Sequence, residues 1–393
     1  MRNGTYSATT KTFHWLTAIL ILATVPLGLV ANDAPFSTDA EITRKTLLFS
    51  IHKTLGVAVF IVAVARIAYG VTQTKPAPLH PDRKAETFLA QIVHWSLYIS
   101  LVLVPLTGWI SHSAASVAAP LWLPFAGLLP FVPTDPTVAD FFGGLHWLWG
   151  RIMIASILLH IAGALKHHII DKDVTLRRMT FGLRDTDSLP TAIKHSASAP
   201  VIAIVLFAVI AVSGAFAGML KSVDVGENIP TLREASGEWT VITGAIGITI
   251  TQLSNRVEGN FTDWVTTVAY DENDAGSDGR VSTTINIASL VLGVVGPQAL
   301  GPDFFDETRF PTAQFDAEFI TDGDSWRADG TLTIKGITVA VSLPFDLVVA
   351  GNVAQMSGAL TLDRRDFLIG ESVAEPSNLG FGVDVTINVT ARR

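Results

Sequence analysis

Residues 145–170 read LHWLWGRIMIASILLHIAGALKHHII. The run is apolar and long enough to cross a hydrocarbon layer of about 30 Å as one α-helix, at about 1.5 Å per residue. Its two inner histidines, His146 and His160, then fall about 21 Å apart along the axis and only about 40° apart around it. Ionisable side chains inside a span are costly and mark a cofactor or an ion path. One helix that lines up two imidazoles on one face, at two depths, predicts two sites stacked across a membrane.

Phe13–Ala31, Leu48–Gly70, Leu89–Ser111 and Pro200–Leu220 have the same length and character, so five transmembrane helices are expected. Arg2 and Lys11 precede the first; Lys75, Arg83 and Lys84 follow the second; Lys166, Lys172, Arg177, Arg178 and Arg184 follow the fourth. The stretch 113–145 has no Lys or Arg. Basic loops stay inside, which predicts a bacterial inner-membrane protein with a cytoplasmic N-terminus and everything after residue 220 in the periplasm. Trp15, Trp95, Trp109, Trp122, Trp147 and Trp149 sit at span ends or in the outer loop, as an interfacial belt requires. The fifth span ends in Ser213-Gly214-Ala215-Phe216-Ala217, so it reads as an anchor or as an internal signal sequence with a cleavage site.

Composition agrees: 49% of the 393 residues are hydrophobic and only 16% charged. Residues 1–198 hold sixteen basic against eleven acidic residues, and 199–393 hold eleven against twenty-four. The halves face different surroundings. Basic residues clustered between apolar runs are membrane loops, which excludes a nucleic-acid partner. The absence of cysteine excludes disulfides, iron–sulfur clusters and covalent haem attachment.

Depth sorts the remaining histidines. His52 opens an inward helix and pairs with His146 at the outer level; His14 opens an outward helix and pairs with His160 at the inner one. Each pair suits a haem iron held between two helices, with both axial positions filled so that the site exchanges electrons. Single interfacial histidines bonded to carbonyls or headgroups are the alternative for any one of them, and a zinc site is a rival short of ligands. His94 lies at the inner level and either replaces His14 or stands beside a haem edge or quinone. Arg66 and Arg151 are candidate propionate or helix-packing partners, as is Lys53, which with Arg44 and Lys45 puts positive charge beside His52. His167 and His168 adjoin Lys166 at the inner boundary, with headgroup, propionate and catalytic roles all open. The proline-broken run 119–133 reads as an interfacial lid over the outer site.

His14-Trp15, Ile51-His52-Lys53, Leu145-His146-Trp147, Leu159-His160, His167-His168, Lys172-Asp173 and Leu176-Arg177-Arg178-Met179 together resemble the prokaryotic cytochrome b561 family. The resemblance implies a four-helix core binding two haem b groups, ligated by His14, His52, His146 and His160, which exchanges electrons with ubiquinone; some relatives oxidise superoxide at the outer face.

Beyond residue 237 short apolar–polar alternations take over, at 245–252, 257–270, 281–290, 313–320, 330–335, 339–349, 355–362 and 382–390, with a possible short helix at 303–307. About eight antiparallel strands close into a barrel around one apolar ligand or stack as a sandwich. No nucleophile–base pair or metal cluster appears in this stretch, the last histidine being His195. Val257-x-Gly259-x-Phe261, Asp303-Phe304-Phe305-Asp306 with Phe310-Pro311 and Phe315, the run 330–338 and Arg364-x-Asp366-Phe367 resemble the YceI-like family. That resemblance implies a lipocalin-like barrel enclosing an isoprenoid chain, with Phe304, Phe305, Phe310 and Phe315 as candidate lipid contacts; core packing is the other reading of each.

The fold expected is therefore a multi-domain membrane protein: an all-α four-helix transmembrane di-haem bundle over 8–182, a linker over 183–237 holding a fifth helix at 200–220, and an all-β lipocalin-like eight-stranded barrel over 238–393. The function expected is quinone-linked electron transfer, with the quinone pool, an isoprenoid lipid and an electron donor such as superoxide as partners. A non-enzymatic isoprenoid or quinone carrier on a redox-active anchor is the competing reading, and a cytochrome subunit feeding another enzyme is a third.

Overall fold

The computed structural model describes residues 6–73, 79–80, 82–115, 119–123, 129–181, 198–218, 239–269, 279–293, 295–322 and 325–393. The chain divides into two compact units, one of residues 1–34, 46–114 and 119–222 and the other of 35–45, 115–118 and 223–393. The expected linkers lie outside the described residues apart from Ser198 and Ala199, and the middle of the expected lid does too.

Among the described residues five helices are long and apolar enough to cross a membrane, and they make up the first unit apart from the opening turns of the second helix (39–45): α1 (Ala8–Asp33), α2 (Asp39–Val71), α3 (Lys84–Ala114), α4 (Pro136–Lys166) and α5 (Ser198–Phe216). All outrun the apolar stretches except α5, whose last described turn closes at Phe216. Local chemistry sets two of the starts. Ser7 accepts from the Thr10 N–H and caps α1, and Asp135 accepts from Thr137 and Val138 ahead of Pro136 at the first position of α4. The early start of α4 puts Arg151 in mid-helix, not near its beginning. At its far end α4 passes into a π-helical turn, His167–Asp171, which Lys172 ends in the left-handed region.

Leu22, Ile61, Leu158 and Val209 are exposed in mid-helix, the distribution of helices that face lipid. Buried positions converge on one layer drawn from four helices: Ile21, Val59, Ala63 and Leu101, with Leu20, Val25 and Ile157 against them. Ile21 follows His14, and Val59 follows His52, by two helical turns, so this layer lies about 10 Å from each histidine. It separates the two levels. Thr17, Thr24 and Thr107 return their hydroxyls to carbonyls of their own helices, which satisfies them without water.

Among its described residues the second unit carries one antiparallel sheet of ten strands, in the order β3-β4-β6-β7-β8-β9-β10-β1-β2-β5. Trp239, just before β1 (Thr240–Gln252), bridges Val268 of β3 (Trp264–Ala269) and curls the sheet back on itself. The strands thus form a lipocalin-like barrel and not a sandwich. Two stretches read as single strands are divided. A turn at Thr262–Asp263 separates β2 (Asn255–Phe261) from β3, and a 3-10 turn at Ile287–Ser289 separates β4 (Arg280–Asn286) from β5 (Leu290–Val291). Asn286 makes both breaks: its amide donates to Asp263 at 2.8 Å and its oxygen accepts from the Ala288 N–H at 3.2 Å. The helix considered at 303–307 is absent; Gly296–Ala299 forms a short helix, α6, instead.

The remaining strands, β6 (Thr312–Asp322), β7 (Ser325–Ile334), β8 (Ile337–Ala350), β9 (Val353–Asp363) and β10 (Gly382–Arg392), show the expected alternation. Val383, Val385, Ile387 and Val389 point inward while Asp384, Thr386 and Asn388 point out. Gly330 lets β7 approach β6 closely, since a Cβ there would collide with the Asp316 carbonyl.

Candidate functional site

In the bundle, the four histidines singled out by depth come together in two pairs. The rings of His52 on α2 and His146 on α4 lie 6.2 Å apart, centre to centre, at 84° to one another. Those of His14 on α1 and His160 on α4 lie 6.1 Å apart at 60°. An imidazole nitrogen stands about 2 Å from a first-row metal and about 1 Å from its own ring centre, so two rings clamping one ion are about 6 Å apart. Both pairs meet that spacing.

At the first level the tautomer is set as well. His52 donates from Nδ1 to the Thr24 carbonyl at 2.9 Å, and His146 from Nδ1 to the Val104 carbonyl at 2.8 Å. That leaves both Nε2 atoms as free lone-pair donors, the second-sphere arrangement of metal-ligating histidines. These residues fit an iron porphyrin held by two imidazoles.

His94 packs edge-on against His160 at 5.0 Å, nearer than an interposed ion allows, and bonds from Nδ1 to the Ala90 carbonyl of its own helix at 2.6 Å. It neighbours the His14/His160 pair. Arg66 lies over the Tyr98 ring at 5.4 Å and within electrostatic range of His14 and His160. Arg151 covers the Trp147 ring at 4.7 Å. Lys53, beside His52, donates to His112 Nδ1 at 3.2 Å.

A second site lies inside the barrel, where every strand but β5 contributes to a cavity of about 270 Å³. Its walls are aliphatic and aromatic, including Ile248, Phe261, Leu343 and Phe345. Phe304, Phe305 and Phe315 line it as expected; Phe310 does not, and instead packs under the Gly336 turn and below the Arg309 guanidinium. The polar wall groups are mostly self-satisfied. Thr266 and Thr283 bond each other at 2.7 Å, and Arg364 donates to the carbonyls of Ile369, Gly370, Val373, Leu379 and Gly380. Such an interior suits a hydrocarbon chain.

Residues 5–182 match the family model of prokaryotic cytochrome b561, and residues 239–391 match that of the YceI-like domain. The chain joins a prokaryotic cytochrome b561 domain to a YceI-like domain. The cytochrome b561 half is 29% identical over 177 residues to Cytochrome b561 homolog 2 of Escherichia coli K12, covering 44% of this chain and 90% of that one. It is 25% identical over 175 residues to the Probable superoxide oxidase CybB of Yersinia pestis, covering 44% and 94%. The YceI-like half is 31% identical over 97 residues to Protein YceI of Shigella flexneri, covering 24% of this chain and 50% of that one. The match to the prokaryotic cytochrome b561 family implies haem b as the group that this domain holds.

The cytochrome b561 domain also holds a charged network that sequence reasoning missed in part. Asp173 accepts from His167 Nδ1 at 2.6 Å and from His80 Nε2 at 3.1 Å, and the two imidazoles stack at 5°. Lys166 bridges Glu86 and Asp171, at 2.6 and 2.7 Å, and Arg83 reaches Asp171 at 3.0 Å. Burial opposes ionisation of Asp173, but hydrogen bonds from Thr175, His167 and His80 outweigh it and hold the carboxyl well below the usual carboxylate range. Neither His80 nor His112 carries a motif. Their partners are distant in sequence, so no spacing signals them.

Proposed function

We propose that the chain is a quinone-linked di-haem b electron-transfer protein of the bacterial inner membrane whose periplasmic barrel binds an isoprenoid lipid or quinone. The observation that carries this reading is the pair of histidine clamps, each at the separation one iron between two imidazoles demands, about 21 Å apart along α4. When bound, haem b groups held by His14, His52, His146 and His160 would supply one-electron transfer.

The residues divide the remaining work. His52 and His146 hold the periplasmic level and His14 and His160 the cytoplasmic one. Lys53, with Arg44 and Lys45 nearby in sequence, gives the periplasmic level a positive field that favours an anionic donor; superoxide is such a donor, in keeping with the name of the Yersinia pestis relative. Arg66 and Arg151 serve as haem-propionate or helix-packing partners. His167, fixed by Asp173 and near Lys166, offers a cytoplasmic-side hydrogen-bonding and proton-handling group for a ubiquinone headgroup. In the barrel, Phe304, Phe305 and Phe315 contact the isoprenoid chain and exclude water from it.

The largely apolar cavity supports the second reading too, a non-enzymatic isoprenoid or quinone carrier on a redox-active anchor. One experiment separates them. Full-length protein in detergent is expected to carry two b haems per chain, to lose one on His52→Ala or His146→Ala and the other on His14→Ala or His160→Ala, and to be reduced by ubiquinol, or by superoxide with ubiquinone as acceptor, at catalytic rates. Haem without turnover favours the carrier; a preparation without porphyrin refutes both.

A further inference from the structure

The cytochrome b561 bundle is built from a repeated helix pair. The interval from His14-Trp15 to Gly28 on α1 equals that from His94-Trp95 to Gly108 on α3. Likewise His52, Gly56 and Arg66 on α2 are spaced as His146, Gly150 and His160 are on α4. At the His52/His146 level the repeat makes the same seat twice. One turn before each glycine, the carbonyl of Thr24 or Val104 accepts the Nδ1 proton of the facing histidine. The glycine itself lies against that ring. A Cβ on Gly28 would come within 2.6 Å of His52 Cε1 and 2.8 Å of Nδ1, and one on Gly108 within 2.8 Å of His146 Nδ1 and 2.9 Å of Cε1.

Contacts that short force movement, and a side-chain ring gives more readily than helix backbone. The ring is also constrained, because its Nδ1 is tied to a backbone carbonyl. Tilting it to admit a methyl group breaks that bond, exposes the tautomer to exchange and turns Nε2 away from the opposing imidazole. Beyond each ligand the opposite condition holds: apart from its chain neighbours and its own helix's backbone, no protein atom lies within 4 Å of where a Cβ on Gly56 or Gly150 would stand.

We propose that Gly28 and Gly108 are positioning residues that set the ring orientation of His52 and His146, and thereby the seat of one haem, while the His14/His160 level is seated independently. This rests on the haem reading above. The repeat explains the asymmetry: at the second level Arg66 occupies the place equivalent to His160, and His94 the place equivalent to His14, so the two halves do not supply matched ligands there.

The test uses full-length protein carrying Gly28→Ala, Gly108→Ala or Gly163→Ala; Gly163 is exposed on α4 with nothing within 4 Å of an added Cβ. Haem per chain is read from the pyridine haemochromogen spectrum, ligation from the low-spin ferric electron paramagnetic resonance signals, and midpoint potentials from a redox titration. Gly28→Ala and Gly108→Ala are expected to halve the haem content, or to move one low-spin signal and its potential, the same one in both variants, while Gly163→Ala changes neither. Two haems with unmoved signals in Gly28→Ala and Gly108→Ala would overturn the seat while leaving the haem reading intact; parent protein without haem would overturn both. Adding Gly28→Ala to His52→Ala guards against misfolding. If alanine acts through the ring, the double variant keeps the haem that His52→Ala keeps, and its further loss refutes the proposal.

Discussion

Arg364→Met is the substitution whose cost the structure defines most fully. Arg364 is 4% exposed, and its five hydrogen bonds run to backbone carbonyls of one segment, 369–380, which carries the cavity-lining residues Ile369, Val373, Leu379 and Gly380. Methionine fills similar space but supplies no donor, so the carbonyls lose their partners in a region water reaches poorly. Removing one side of a buried, charged hydrogen-bond network costs about 3–5 kcal/mol. For a domain of roughly 150 residues that is a fall in melting temperature of about 6–20 °C. Lysine retains the charge but only three donors and no planar fork, so Arg364→Lys should fall between the two. Full-length protein in detergent, melted while the YceI-like domain is followed by its far-ultraviolet β signal, gives the shift; mass spectrometry of extracted lipid gives the functional consequence, which is loss of the bound chain. An Arg364→Met melting point within 2 °C of the parent would refute the reasoning.

Other outcomes follow from the same geometry. On the proposed di-haem reading, His94→Ala should keep both haems while shifting the midpoint potential of the one assigned to His160; loss of a haem there, with retention in His14→Ala, would exchange the roles of the two residues. Ala328, 1% exposed in the cavity wall, should tolerate phenylalanine at a cost of about 1–3 kcal/mol, yet lose co-purifying lipid because the ring occupies its path. Asp173 has a depressed folded pKa, so its stabilising contribution is present above the unfolded value of about 3.9 and disappears as pH falls through the folded one. The melting-point gap between parent and Asp173→Asn should therefore be constant from pH 8 to pH 5 and close only in stronger acid; a gap that closes between pH 7 and pH 5 would mean that histidine titration, not this carboxylate, governs the network.

Much of this protein is legible without coordinates, because a helix converts sequence intervals into distances. The rise per residue places His146 and His160 at two depths, and the alternation of charged loops assigns His14 and His52 to partners. The repeat joining His14-Trp15…Gly28 to His94-Trp95…Gly108 was equally legible, being an interval match between helices, but becomes meaningful only when the glycines are seen against the rings. Strand periodicity likewise identifies the inward residues of β10, whereas the breaks at Asp263 and Asn286 depend on a hydrogen bond between the two loops.

By itself, then, the sequence determines five apolar spans, two histidine levels and a β-rich second half, since hydrophobic length and period are local properties of the chain. Only tertiary structure decides that Gly28 lies against the His52 ring, that Lys53 meets His112, that His80 stacks on His167, and that Phe310 leaves the cavity its neighbours line. Each of those depends on how helices rotate against one another or how strands pair. Rotation and pairing are settled by close packing among residues far apart in sequence, where no local period carries the information.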